Sequence, residues 1–106
     1  MATGRLGAVD LAATTNTTLY QVAAGFFGVA SVTICNRNSI AVTVRLALTT
    51  SSTVTDNAYL EYGTTIPANS VLERTGLVVA YGQQIVVWSS ATSVDAVAYG
   101  IETSTT

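Results

Sequence analysis

The chain has 106 residues, which suffices for one domain with a single core and leaves no room for a second. Apolar residues make up 49% of it and charged residues 9%, against a typical charged share of about 25%, and the net charge is −2 with no lysine or histidine. This composition argues against a nucleic-acid partner, which requires a basic patch, and indicates that neighbouring molecules cover part of the surface, with a Thr-rich monomer as the alternative.

The N-terminal 17 residues differ in composition from the rest of the chain. Leu6, Val9 and Leu11 stand among glycines, alanines and threonines. Such a segment predicts an extended N-terminal arm over residues 1–17 that packs on a neighbour, with an edge strand of the same domain as the alternative. Leu6, Val9, Leu11 and the nearby Arg5 are therefore predicted interface residues.

An all-β sandwich is predicted for residues 18–102. Val and Thr are abundant, and no run of helix formers at helical spacing occurs. Seven strands are predicted between turn residues: 18–23, 30–35, 40–48, 59–62, 71–75, 84–89 and 94–102. The spacing of the turns favours a two-sheet antiparallel β-sandwich, jelly-roll or immunoglobulin-like in order. Residues 103–106 are predicted to form a flexible tail.

Two connections carry more specific predictions. The segments before and after Asn36 to Ser39 both alternate in polarity, so residues 29–49 are predicted to form a β-hairpin. The sequence Gly25-Phe26-Phe27-Gly28 places two aromatic rings on a turn flanked by glycines. Phe26 and Phe27 are therefore predicted to be exposed interface anchors.

No catalytic, metal-binding or cofactor-binding residues are predicted. Without histidine, a Ser-His-Asp or Cys-His arrangement is impossible and the commonest metal ligand is missing. Glu61 and Glu73 could face each other across neighbouring strands, as a glycosidase requires, but paired charge beside Arg74 is the simpler interpretation. The single Cys35 has no internal disulfide partner and no activating base, which favours a structural role. We therefore expect that the chain is not an enzyme.

The aromatic residues allow two interpretations. Trp88 and Tyr62 lie within strand patterns, which favours packing between the two sheets. The alternative is a platform on which sugars or peptides stack. No membrane partner is expected, because the uncharged stretch between Asp10 and Arg37 contains several Thr residues and Gln21 and does not suit a hydrocarbon core.

The segment 59–102 carries an order of turns and strands that resembles a known group of proteins. It runs Ile66-Pro67-Ala68-Asn69-Ser70-Val71-Leu72-Glu73, then Gly76-Leu77 and Gly82-Gln83-Gln84-Ile85, and closes near Tyr99-Gly100-Ile101-Glu102. This pattern resembles small β-sandwich virion structural proteins of tailed bacteriophages, such as those of cyanophages. The likeness consists largely of turn residues, so no functional residue is carried over.

The resemblance implies a structural function in a virion. A non-enzymatic capsid decoration protein of this kind would be made in the host cytoplasm and bind the major capsid protein or other virion proteins. It would assemble as a homo-oligomer through its arm and its uncharged faces, without a cofactor. A tail, baseplate or fibre-associated component is one alternative, and a carbohydrate- or receptor-binding module is another.

Overall fold

Eight strands make up most of the chain. The computed structural model describes residues 3–50 and 53–104. The strands are β1 (Thr3–Asp10), β2 (Thr17–Gln21), β3 (Phe26–Asn36), β4 (Val42–Thr49), β5 (Tyr59–Ile66), β6 (Val71–Val79), β7 (Gln84–Ser89) and β8 (Val94–Ser104). One turn of 3-10 helix, Asp56–Ala58, precedes β5. No helix within the described ranges has the length and apolar character needed to cross a membrane.

The strands form two antiparallel sheets that pack against each other. Sheet A has the order β1-β8-β3-β6, and sheet B has the order β2-β7-β4-β5. The predicted two-sheet antiparallel sandwich is confirmed, with eight strands because residues 3–10 add β1. Four pairs of neighbours match the two arms of one long hairpin that is rolled across two sheets: β1 and β8, β2 and β7, β3 and β6, and β4 and β5. This is jelly-roll order.

The β-hairpin predicted over residues 29–49 is wrong. β3 pairs with β6 and β8 in sheet A, whereas β4 pairs with β5 and β7 in sheet B. The connection between β3 and β4 therefore crosses from one sheet to the other. Two consecutive alternating segments look the same whether the chain turns back within a sheet or crosses between sheets, so the pattern could not distinguish these cases.

One apolar core fills the space between the sheets. Val32 and Ile34 of β3 and Val44 and Leu46 of β4 are each no more than 1% exposed, and burial of such a side chain stabilises the fold by about 1.5–3 kcal/mol. Ile40, the first residue of the predicted strand 40–48, lies before β4 and is 67% exposed. The outward residues of the same strands form the two faces that a partner can reach.

The N-terminal segment belongs to sheet A. Residues 3–10 are extended, as predicted, but they form edge strand β1, which pairs with β8. At Gly7 this strand passes so close to sheet B that a Cβ would lie 2.1 Å from the carbonyl oxygen of Leu19. The segment is thus part of the same sandwich as residues 18–102, and its use as an arm on a neighbour stays a prediction.

β8 and β3 are both longer than predicted. Thr103 and Ser104 continue β8 and pair with Phe27 and Phe26 of β3. Half of the predicted tail 103–106 is therefore strand, and residues 105–106 lie outside the described residues. The two phenylalanines begin β3, and the turn lies just before them, at Gly25 with φ +83°. Phe26 and Phe27 are consequently on a strand and not on the predicted turn.

Candidate docking surfaces

Several charged side chains of the described residues form ion pairs. Among the described residues, no group of three or more His, Cys, Asp or Glu side chains could hold a metal ion. Arg74 of β6 pairs with Glu61 of β5, which joins an edge strand of sheet A to an edge strand of sheet B. Glu73 instead accepts a hydrogen bond from the hydroxyl of Tyr99, with an oxygen to oxygen distance of 2.6 Å. Glu61 and Glu73 therefore have different partners and lie on strands of different sheets.

Glu61 is held in its ionised form. The hydroxyl of Thr64 donates a hydrogen bond to Oε1 of Glu61 at 2.6 Å, and Arg74 donates to Oε2. The hydrogen bond from Thr64, together with the bond and charge of Arg74, lowers the pKa of Glu61 although partial burial acts in the opposite direction. A carboxyl group with a lowered pKa is a counter-ion at neutral pH and not a general acid.

The outer face of sheet A carries an exposed row of apolar side chains. Val29 of β3 pairs with Val78 of β6 on one side and with Ile101 of β8 on the other. The three side chains are 44%, 58% and 53% exposed, respectively, and paired residues point to the same face of a sheet. Phe27 and Tyr99 lie two residues along β3 and β8 on that face. We call these five residues the apolar patch.

The margin of the apolar patch is polar. Arg5 of β1 pairs in register with Tyr99 and is exposed, and the hydroxyl of Tyr99 binds Glu73. On a solvated antiparallel sheet, outward positions are usually polar. An exposed apolar area with a polar rim is typical of a protein interaction site.

The predicted interface residues divide into two groups. Four side chains lie in the sandwich's own core or pack against it: Leu6, Val9, Leu11 and Phe26. Their apolar surface is thus used within the domain. Arg5 and Phe27 point outward on sheet A, and Phe27 is part of the apolar patch. These two are the predicted residues that the fold presents to a partner.

The outer face of sheet B carries a different cluster. Arg45 of β4 pairs in register with Trp88 of β7 and Tyr62 of β5. Its guanidinium carbon lies 4.0 Å from the ring centroid of Trp88 and 4.5 Å from that of Tyr62. Tyr59 packs edge-on against Tyr62, with ring centroids 4.8 Å apart. We call Arg45, Tyr59, Tyr62 and Trp88 the arginine cluster, which cation–π attraction stabilises.

The core packing predicted for Trp88 and Tyr62 is wrong. Tyr62 is 63% exposed, and Trp88 stacks on Arg45 at the outer face. Ile85 and Val87 belong to the core between the sheets, so Trp88 points outward, but the uninterrupted apolar run from Ile85 to Trp88 shows no alternation that could have predicted this. A position in a strand pattern favoured the core but does not show which face of the strand a ring lies on, and the partner Arg45 could not be identified without the register of three strands.

The fold and its two faces define a jelly-roll sandwich with an apolar patch on one sheet and a cationic, aromatic cluster on the other. Comparison of the chain with protein-family models, with curated proteins and with solved structures finds no match. The two clusters lie on opposite sides of the molecule and differ in chemistry, so they suit different contacts.

Proposed function

We propose that this protein is a non-enzymatic structural component of a virion, a capsid decoration protein of a tailed bacteriophage that docks through the apolar patch. One observation carries the proposal. Val29, Val78 and Ile101 form a half-exposed row across three strands of sheet A. When a partner covers such a row, apolar area is removed from water, which stabilises the complex by a free energy of roughly 25 cal/mol per Å².

The low charge supports docking on a large, uncharged surface. Only 9% of the residues are charged, so few ions lose their hydration when a face is covered. Most of the charged groups near sheet A are already occupied within the chain, as Glu73 is by Tyr99. The phage assignment itself rests on the resemblance of residues 59–102, and jelly-roll sandwiches are common among viral shell proteins.

Docking is tested on virions and on virions that lack the protein. Mass spectrometry of purified virions is expected to detect the chain. In co-sedimentation with particles lacking it, the variant Val29→Ser/Ile101→Ser is expected to bind at least about tenfold more weakly, because each change removes apolar area from the contact. Ile40→Ser is the matched control, since Ile40 is also apolar and 67% exposed but lies outside the patch.

Two results would contradict docking through the apolar patch. One is the absence of the chain from purified virions. The other is binding of Val29→Ser/Ile101→Ser as tight as that of Ile40→Ser. A label on the bound protein shows where on the particle it lies, and so distinguishes a head decoration protein from a tail, baseplate or fibre component. Such a component would use the same patch at another place on the virion.

A carbohydrate- or receptor-binding module is the second candidate. It is favoured by Tyr81, which is 66% exposed between β6 and β7 and can offer a ring face to a sugar. Phe26 packs against the core and is not available in this way. A glycan array supports this candidate if the wild type binds and Tyr81→Ala does not. No binding, or binding that Tyr81→Ala leaves unchanged, counts against it.

A further inference from the structure

Arg45 is held in place but has no partner for its charge. Its guanidinium lies between the rings of Trp88 and Tyr62. Within the described part of the chain no ion pair includes Arg45, and its buried Nε–H has no hydrogen-bond acceptor. Arg37 and Arg74, by contrast, both bind carboxylates. An arginine held in an aromatic frame with an unsatisfied donor is unusual, and such a group calls for an explanation.

The surroundings of Arg45 favour a protein carboxylate as the ligand. The edge of a guanidinium presents parallel N–H donors that match the two oxygens of a carboxylate. Trp88 and Tyr62 each have one ring face directed at Arg45, which reduces the ring surface left for stacking on a sugar. A carboxylate that binds the guanidinium at its edge, through the terminal amino groups, leaves both cation–π contacts intact.

A second copy of the chain can supply this carboxylate. Five acidic residues already contact an arginine or a tyrosine hydroxyl within the chain: Asp10, Glu61, Glu73, Asp95 and Glu102. Asp56 is the remaining acidic residue, and no hydrogen bond or ion pair in the described chain involves its side chain. It is exposed in the 3-10 helix, which contacts β4 and leads into β5, the strand that carries Tyr59 and Tyr62.

We propose that the outer face of sheet B is a self-association surface in which Arg45 of each copy binds Asp56 of the other. In a two-fold interface the same contact occurs twice, so one pairing satisfies both unpaired groups of both copies. The two-fold axis would pass near Ala47 of β4 and Tyr59 of β5, which pair in register. These two residues lie between Arg45 and Asp56 on the face of sheet B. Arginine, tyrosine and tryptophan at the centre of this surface are the residues enriched in binding hot spots.

Exchanging the charges of Arg45 and Asp56 in the full chain tests whether these two residues pair between copies. Sedimentation velocity at neutral pH and low salt, over a range of protein concentrations, is expected to show a reversible dimer. Arg45→Glu and Asp56→Arg are each expected to weaken the dimer at least about tenfold, because each places like charges together. The double variant Arg45→Glu/Asp56→Arg restores the attraction with reversed signs and is expected to return to within about threefold of the wild type.

The control is Ser39→Glu, which introduces the same acidic side chain at an exposed residue of the β3–β4 connection and is expected to leave the dimer unchanged. If Arg45→Glu does not fold, the exposed Asp56→Arg variant decides the matter alone. A wild type that is monomeric at all concentrations overturns the inference, as does an Asp56→Arg variant that dimerises as the wild type does. Because the purified chain is measured without virions, neither result bears on docking through the apolar patch.

Discussion

At the scale of single residues, Asn36 shows how one side chain fixes a crossing between the sheets. It is fully buried at the end of β3. Its Nδ2 donates hydrogen bonds to the carbonyl oxygens of Ile40, Ile66 and Pro67 at 2.9, 3.2 and 3.1 Å, and its Oδ1 accepts one from the backbone N–H of Asn38 at 2.9 Å. These bonds connect the β3–β4 crossing to the turn between β5 and β6.

Replacement of Asn36 by alanine is expected to lower the free energy of unfolding by about 3 kcal/mol or more. Four backbone groups would lose their partner at once, one of them buried and three partly buried, and an unsatisfied buried group costs about 1–3 kcal/mol. Urea denaturation followed by Trp88 fluorescence measures the change. Asn16→Ala, at an exposed asparagine, is the control and is expected to stay within about 0.5 kcal/mol of the wild type. Equal stability of the two variants would show that the hydrogen bonds of Asn36 contribute little.

At the scale of elements, edge strand β1 depends on the absence of a side chain at Gly7. On one side β1 pairs with β8 in sheet A. On the other it passes close to β2 of sheet B, where a Cβ at position 7 would lie 2.1 Å from the carbonyl oxygen of Leu19. The obstacle is backbone, which cannot move aside as a flexible side chain can. A glycine is therefore what allows this strand to close the edge of the sandwich.

Gly7→Ala is expected to loosen β1 more than the rest of the fold. The added methyl group forces β1 away from β2, and overpacking of this kind costs about 1–3 kcal/mol. Amide hydrogen exchange is expected to accelerate in residues 3–10 while the central strand β3 keeps its protection. Ala8→Ser changes the next, exposed residue of the same strand and is expected to leave exchange unchanged. Unaltered protection of β1 in Gly7→Ala would show that the close approach to Leu19 does not hold the strand.

At the scale of the whole molecule, polar contacts between side chains of different sheets add to the apolar core. The hydroxyl of Tyr20 in β2 donates a hydrogen bond to Glu102 of β8 at 2.7 Å, and burial together with Glu102 raises the pKa of Tyr20 well above its ordinary value. Arg74 and Glu61 join β6 to β5 at the other edge of the sandwich. The second contact makes the stability of the sandwich depend on acid.

Acidification is expected to destabilise the sandwich through Glu61. Folding lowers the pKa of Glu61, so its contribution is complete above the unfolded pKa of 4.5 and is lost as the pH falls through the lower folded pKa. Urea denaturation between about pH 6 and pH 3 is expected to show a steeper loss of stability for the wild type than for Glu61→Gln. Glu73→Gln removes a carboxylate from the outer face and controls for the loss of one charge. Identical slopes for Glu61→Gln and the wild type would contradict the assignment.

The sequence was sufficient to predict most local features of the fold. The predicted strand 84–89 matches β7 in both bounds, and the turns after β5 and β6 contain left-handed Asn69 and Gly82, with φ of +57° and +82°. β-Branched composition, alternation and turn chemistry act over a few neighbouring residues. For the same reason the all-β class and the low surface charge follow from composition and alternation alone.

Only the tertiary structure decided which strands are neighbours and which side chains meet. The crossing from β3 to β4, the apolar patch on β3, β6 and β8, and the contact of Arg45 with Trp88 and Tyr62 each depend on strands far apart in the chain. Alternation shows that a side chain points to one face of a strand, but it does not show which strand lies beside it or whether that face turns to the core. Strand order and register depend on long-range packing, and for that reason the two docking surfaces could not be found from the sequence alone.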